Sequence, residues 1–312
     1  MAKYVVKRTI LAIITIILIS AITFFAMYAV PGGPFDSEKA LSPAVQAALE
    51  ERYGLNEPVP VQYFNYMRRL ICELDFGVGL KTGRDVFTTI MTGMRVSAKL
   101  GLSAAAVAIV CGLVLGSVAA LNRGKLIDRL IVFFSTLATS APSFVLATLL
   151  LLVFSIQLGW VPAWTATNPN YVLPVISLAM YPMAYITRLT KTSMLDALNQ
   201  DYIRTARAKG VPSYKVIFKH ALRNALIPVI TYVGPMIAFI ITGSMVVETI
   251  FSTGGLGQEF VSAITNRDYT MIMGTTIFLA VLMVTANLIT DIIYKIIAVS
   301  YTHLTLPTTP YV

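Results

Sequence analysis

The stretch best equipped for a specific interaction reads Asp201-Tyr202-Ile203-Arg204-Thr205-Ala206-Arg207-Ala208-Lys209-Gly210-Val211-Pro212. Asp201 can cap a short helix. Gly210 with Pro212 ends it, since glycine takes left-handed backbone without steric penalty. The i, i+4, i+7 spacing puts Tyr202, Ala206 and Lys209 on one face. Ser213–Ala225 reads as a second helix, with Val216, Ile217, His220 and Ala221 on one side and Lys215, Lys219 and Arg223 toward the other. A helix, a Gly/Pro turn and another helix make a rigid knob, which suits docking rather than catalysis. The same pattern fits a basic helix lying on anionic lipid, and spacing alone does not choose between them.

Other chemistry is missing from the sequence. There is no Gly-x-x-x-x-Gly-Lys-Ser/Thr phosphate loop, so ATP is not bound by that route, and no His-Glu-x-x-His zinc protease motif. Cys72 lies in a polar stretch and Cys111 in an apolar run, with no Cys-x-x-Cys pair. His220 and His303 are too few for a metal cluster. Gly254-Gly255-Leu256-Gly257 follows no strand and reads as a tight turn rather than a dinucleotide fingerprint. Gly112 and Gly116 form a small-xxx-small pair that suits close helix packing. Asp291 and Lys295 make a favourable i, i+4 pair that interfacial anchoring explains as well as function does.

The elements that position these residues follow from composition. Hydrophobic residues make up 56% of the chain and charged residues 12%, against roughly 45–50% and about 25% in soluble domains. A bilayer accepts that much apolar surface. A spanning helix needs about 20 apolar residues, and six stretches qualify: Ile10–Val30, Leu100–Leu121, Leu130–Leu158, Tyr171–Ile186, Ala225–Val247 and Thr270–Ile289. The fourth is interrupted by Pro174 and Pro182, which membrane helices tolerate when neighbours satisfy the freed carbonyls. The first, behind Lys3, Lys7 and Arg8, resembles a secretory signal but is longer than the usual h-region and lacks a small-residue cleavage site, so it reads as a retained anchor.

Basic residues set the orientation. Lys3, Lys7 and Arg8 precede span one, and Arg123, Lys125 and Arg129 follow span two. Between spans four and five lie Arg188, Lys191, Arg204, Arg207, Lys209, Lys215, Lys219 and Arg223. With six spans these groups share one side. Opposite them, Gly159–Asn170 has no Lys or Arg and Glu248–Tyr269 has only Arg267. Both termini are therefore expected in the cytoplasm, and the net charge of +9 is mostly a topology signal rather than a sign of nucleic-acid binding. Pro31–Val96 is polar, lies outside and is too long for a turn. Within it Ser42–Tyr53 reads as a short helix ended by Asn56-Glu57-Pro58. It suits a small extracytoplasmic subdomain or a structured linker.

The run Asp201–Gly210, followed by His220-Ala221-Leu222-Arg223-Asn224-Ala225-Leu226-Ile227-Pro228, resembles the signature loop of ABC importer permeases, and more narrowly of the dipeptide and oligopeptide permease family. Further matches are Val30-Pro31-Gly32-Gly33-Pro34, Gly77-Val78-Gly79-Leu80 before Gly83-Arg84, Val246-Val247-Glu248-Thr249-Ile250-Phe251 leading into Gly254-Gly255-Leu256-Gly257, and Arg267-Asp268-Tyr269. The resemblance covers residues 1 to 297. Arg204-Thr205-Ala206 stands where the general signature has Glu-Ala-Ala, which favours the peptide subgroup over sugar or amino-acid permeases. The segment 298–312 is uncharged and Thr/Pro-rich where family members carry Asp-Pro-Arg, so it reads as an atypical tail foreign to the family.

The resemblance implies an all-α membrane protein with six transmembrane helices, the transmembrane domain of a type I ABC importer. Residues 1–30 would be the N-terminal helix, 31–96 the extracytoplasmic segment, and 97–297 a five-helix domain with a cytoplasmic coupling loop near 191–224. It implies a multi-pass subunit of the bacterial or archaeal inner membrane that forms the path for peptides. Its partners would be a second homologous permease, two ATP-binding subunits and an extracytoplasmic peptide-binding protein, besides lipid and without nucleic acid. The chain itself would bind no cofactor and catalyse nothing, with ATP and Mg used by the partner subunits. The contact with the ATPase falls on Asp201, Tyr202, Arg204, Thr205, Ala206, Arg207, Ala208, Lys209 and Gly210. Asn224, Pro228, Glu248, Gly254, Gly255, Gly257, Arg267, Asp268 and Tyr269 are motif positions without an assigned role.

Rival classes have less behind them. An intramembrane enzyme needs polar groups inside its spans, a channel needs a filter or a ring of charges, and neither is evident. A structural membrane subunit and an importer of another cargo, such as nickel, stay open at this point.

Overall fold

The computed structural model describes residues 2–35, 50–51 and 54–302. The expected helix at Ser42–Tyr53 lies outside the described residues except for Glu50 and Glu51, which are helical. Among the described residues the architecture is helical, with one isolated antiparallel bridge between Val78 and Asp85. Five helices among the described residues are long and apolar enough to cross a membrane, and a bent pair makes a sixth when taken as one span.

The described residues form two compact units. Unit one takes them from 1–97 and 254–285, unit two from 98–253 and 286–312. Unit one begins with α1 (Ala2–Ala29) and α2 (Val59–Cys72). Ile10, Ile13, Ile14, Ile17 and Ile22 of α1 are exposed, as a lipid-facing helix requires. Its other side buries Phe24 in a cluster with Tyr66 and Leu70 of α2 and with Met273 and Ile277. The last two belong to α11 (Tyr269–Thr302), and unit one also holds α10 (Leu256–Thr265).

The helix α3 (Val86–Leu121) starts in unit one. Asp85 begins it: its Oδ1 accepts the Thr88 N–H at 2.7 Å, satisfying one of the free donors of a helix start. Hydrogen bonding from the Thr88 side chain, and then from its N–H, favours the charged form and holds the Asp85 carboxyl below the ordinary carboxylate range.

Unit two holds the rest of α3, then α4 (Leu126–Ser140) and α5 (Ser143–Leu150), which runs on as a π-helical turn over Leu151–Gln157. The expected single span Leu130–Leu158 is corrected here: the two halves meet at 107°. Pro142 is the cause. It has no N–H to continue the ladder, and it drives Ala141 into extended backbone at ψ 134°.

Next come α6 (Val172–Leu198), α7 (Asp201–Ala208), α8 (Ser213–Ile241) and α9 (Met245–Phe251). The fourth span is longer than Tyr171–Ile186, running on to Leu198; Pro174 lies in its first turn, where no donor is needed, and Pro182 inside it. Arg188 and Lys191 consequently stand on helix α6 rather than in a loop. Ser213–Ala225 and span five are not separate elements. They form the one helix α8, with a π-helical turn at Val216–Ala221 and prolines at 228 and 235. It stops at Ile241, short of Val247.

The core of unit two gathers Leu100, Ala104 and Ala108 of α3, Ala179 and Ile186 of α6, and Val229, Met236 and Ile240 of α8. The glycine pair on α3 makes this possible. A Cβ on Gly112 would lie 2.7 Å from Ile186 Cγ2, and one on Gly116 would lie 2.6 Å from the Thr187 carbonyl. The backbones of α3 and α6 therefore approach as a small-xxx-small pair allows.

Candidate functional site: a helical knob and a motif clamp

The knob lies in unit two. Helix α7 is anchored by Ile203 and Ala206, which are buried with Ala197, Val216 and Ala221. Of the three residues that the spacing puts on one face, Ala206 is buried while Tyr202 and Lys209 are exposed. The i, i+3 pair Ile203/Ala206 faces the protein because it carries the apolar groups. Asp201 is not the cap. Gln200 holds that position in extended backbone, without a side-chain bond, and Asp201 is the first helical residue. Its carboxylate turns back to Arg204 Nη1 at 3.4 Å, with both side chains largely in solvent. Such a pair is worth little, but an acid in the first turn still complements the helix dipole.

Gly210 ends the helix at φ +72°. The Val211 N–H donates to the Ala206 carbonyl at 3.1 Å and the Gly210 N–H to the Arg207 carbonyl at 2.9 Å. These two bonds are the Schellman arrangement. Pro212 then starts α8. Arg204, Thr205, Arg207, Ala208 and Lys209 are exposed on the resulting knob. On α8, Val216 and Ala221 are buried while Lys215, Lys219 and Arg223 are exposed, the sidedness that the sequence indicates.

A bond ties the knob to α8. Asn224 Nδ2 donates to the Tyr202 hydroxyl at 2.9 Å and to the His220 carbonyl at 3.2 Å. Pro228, four residues on, cannot donate to the Asn224 carbonyl. A second tie in the same unit is the ion pair of Lys191 Nζ with Asp128 Oδ1 at 2.5 Å, where Asp128 also accepts the Gly124 N–H. Sequence reasoning passed over this pair, since Asp128 lies in a basic segment and Lys191 counted only as a topology charge.

The clamp lies in unit one and gathers three motifs far apart in sequence. Asp268 is buried, at 3% exposure. Its Oδ1 accepts the Leu80 N–H at 3.0 Å and the Met271 N–H at 3.2 Å, and its Oδ2 accepts the Lys81 N–H at 3.2 Å. One carboxylate thus caps α11 and holds the 77–84 stretch. Arg267, at φ +55°, donates from Nη1 to the Pro31 carbonyl at 3.0 Å. The Tyr269 hydroxyl donates to the Gly32 carbonyl at 3.4 Å. The motif glycines fit these side chains: a Cβ on Gly32 would collide with the Arg267 guanidinium, and one on Gly79 would lie 2.9 Å from Asp268 Oδ2.

The remaining motif positions shape turns. Gly254, at φ +68°, donates its N–H to Gln258 Oε1 at 2.7 Å. Gly255 precedes α10 in extended backbone, and Gly257 is buried in its first turn. The buried Leu256 N–H donates to Ser97 Oγ at 2.8 Å. In unit two, Glu248 is fully buried on α9, whose cap is Ser244. Among the described residues no group of three or more His, Cys, Asp or Glu is placed to hold a metal.

Known proteins match this arrangement. A family model described as binding-protein-dependent transport system inner membrane component matches residues 112–302, and the N-terminal model of the same systems matches residues 1–97. The chain belongs to that permease family. The dipeptide transport system permease protein DppB of Bacillus subtilis (strain 168) is 44% identical over 299 residues, covering 95% of this chain and 97% of the relative. The oligopeptide transport system permease protein OppB of Haemophilus influenzae is 44% identical over 301 residues, covering 95% and 98%. The Salmonella typhimurium (strain LT2) OppB is 40% identical with the same coverage. In fold, the permease resembles a chain in the crystal structure of an amino acid ABC transporter with histidines, at a TM-score of 0.55, 16% identity, and coverage of 67% of this chain and 94% of that one. The first family match extends to residue 302, and the backbone of α11 is helical to the same residue. The all-α architecture with five or six spans is that of a type I ABC importer transmembrane domain.

Proposed function

We propose that this permease forms half of the membrane path of an ATP-driven importer of dipeptides or oligopeptides. The observation that carries the reading is 44% identity to a dipeptide and to an oligopeptide permease across 95% of the chain. A second, homologous permease supplies the other half. Two ATP-binding subunits bind ATP and Mg and hydrolyse it, and an extracytoplasmic binding protein delivers the peptide. Both termini lie in the cytoplasm, which the placement of Lys and Arg supports.

The knob at Asp201–Gly210 is the contact with an ATP-binding subunit. Transmitting force needs a projection that is exposed at its tip and rigid at its base. Arg204 and Arg207 supply the exposed tip, while the Ile203/Ala206 anchor, the Gly210 turn and the Tyr202–Asn224 bond fix the base. Motion of the ATPases then reaches α8 directly, because the helix begins three residues beyond Gly210.

The test is reconstitution of the permease with its partner subunits in liposomes. ATP and loaded binding protein should drive uptake of labelled dipeptide or oligopeptide. Uptake of another cargo class with peptides ignored, under the same conditions, would overturn the peptide assignment.

A further inference from the structure

Unit two carries a cluster of tyrosines that the motifs do not include. Tyr181 and Tyr185 stand one turn apart on α6 and are 53% and 39% exposed. Tyr185 stacks on Tyr232 of α8, with ring centroids 4.3 Å apart and planes 33° apart. Among the described residues none of the three hydroxyls makes a hydrogen bond. Thr231, next to Tyr232, is exposed as well.

Depth makes these hydroxyls unusual. At 1.5 Å per residue, Tyr181 and Tyr185 lie about 14 and about 20 Å along α6 from Val172, and Tyr232 about 14 Å along α8 from Ile241. Counted from those helix ends, Tyr181 and Tyr232 fall near the middle of a hydrocarbon layer of about 30 Å, well below the headgroup level where tyrosine is at home, while Tyr185 lies one turn before Arg188 on α6. A hydroxyl without a partner facing lipid tails at that depth is costly. On α4 and α5 the side chains of Phe133, Phe134, Leu137, Phe144 and Leu149 are exposed, the apolar character a lipid face requires.

We propose that Tyr181, Tyr185, Tyr232 and Thr231 line the water-accessible path and form a contact surface for the peptide in transit. The inference rests on the importer reading above. A peptide backbone offers alternating N–H and C=O groups, and a phenol hydroxyl both donates and accepts. The rings offer apolar area to any side chain. Such a surface suits a cargo of constant backbone and variable side chains better than a fixed charge would.

The experiment uses the full complex in liposomes, with Cys72→Ser and Cys111→Ser in the permease. Tyr181→Cys, Tyr185→Cys and Phe134→Cys are each treated with a charged, membrane-impermeant methanethiosulfonate. A thiol must ionise in water to react, so Tyr181→Cys and Tyr185→Cys should be labelled about tenfold or more faster than Phe134→Cys. Loaded binding protein and ATP should slow that labelling. Labelling as slow as at Phe134→Cys, or fast labelling that peptide turnover leaves unchanged, would overturn the assignment. If a tyrosine variant fails to assemble, Thr231→Cys carries the same test, since the threonine side chain is small and exposed. Peptide uptake by the unsubstituted complex separates the two readings. A complex that imports no peptide overturns the proposed function, whereas one that imports peptide and shows slow labelling overturns only the tyrosine surface.

Discussion

Gly210 shows how a single position can fail without a clash. Nothing lies within 4 Å of where its Cβ would be, so the cost of Gly210→Val is the backbone strain of φ +72° alone, about 1–3 kcal/mol for a left-handed non-glycine residue. Relief comes from opening the turn and releasing the knob. If about 1.4 kcal/mol of that falls on the coupled state, uptake drops roughly tenfold, while membrane insertion, set by the apolar spans, is unchanged. Vesicle uptake and peptide-stimulated ATP hydrolysis measure this, and normal values for both would leave Asp201–Gly210 as a lipid-facing helix. Asp268→Ala acts by the opposite route. It leaves the Leu80, Lys81 and Met271 N–H groups without their carboxylate, at a cost of roughly 3 kcal/mol or more if each loss is about 1 kcal/mol. The melting temperature of the purified complex should fall clearly, and by less in Asp268→Asn, which keeps one acceptor. Asp85 carries a pH prediction. Its carboxyl is held low when folded, so the cap is fully formed above the ordinary carboxylate pKa and is lost as pH falls through the lower folded value. The exchange protection of the Thr88 N–H, taken relative to its intrinsic rate at each pH, should fall on acidification below the ordinary range, and Asp85→Asn should remove that dependence.

At the level of elements, what was legible in the sequence tracks what is local. The helix stop at Gly210 could be read because glycine and proline act on their own backbone, and the glycine pair at 112 and 116 because close approach needs a missing Cβ. The merger of Ser213–Ala225 with span five could not, because polar and apolar halves look like two elements while the backbone simply continues through a π-helical turn. The bend at Ala141-Pro142 was hidden by unbroken hydrophobicity on either side of the proline. Roles for Arg267, Asp268 and Tyr269 were out of reach, since their acceptors and donors lie 187 to 237 residues away. Helix packing gives its own prediction. Gly116→Leu forces a side chain against the Thr187 carbonyl and Thr190 of α6, and overpacking of this kind costs about 1–3 kcal/mol. Reduced assembly of the complex, with Cys111 becoming more reactive as α3 and α6 part, is the expected outcome. Unchanged yield and reactivity would mean that the two helices do not depend on this approach.

Orientation belongs to the whole molecule. With both termini inside, a cysteine at Asn168 should react with an impermeant reagent added outside, and one at Ser213 should not. The reverse result would invert the topology. The clamp has a consequence for biosynthesis. Pro31 and Gly32 leave the ribosome early, yet the arginine and tyrosine that hold their carbonyls come more than 230 residues later. The 77–84 stretch waits nearly as long for the Asp268 carboxylate. For most of synthesis, then, the cluster shared by the first two helices lacks Met273 and Ile277. Closure of unit one is therefore a late, nonlocal step that awaits the final helix. Nascent chains stalled before residue 267 should be open to protease in the 31–96 segment, and chains released with α11 in place should resist it.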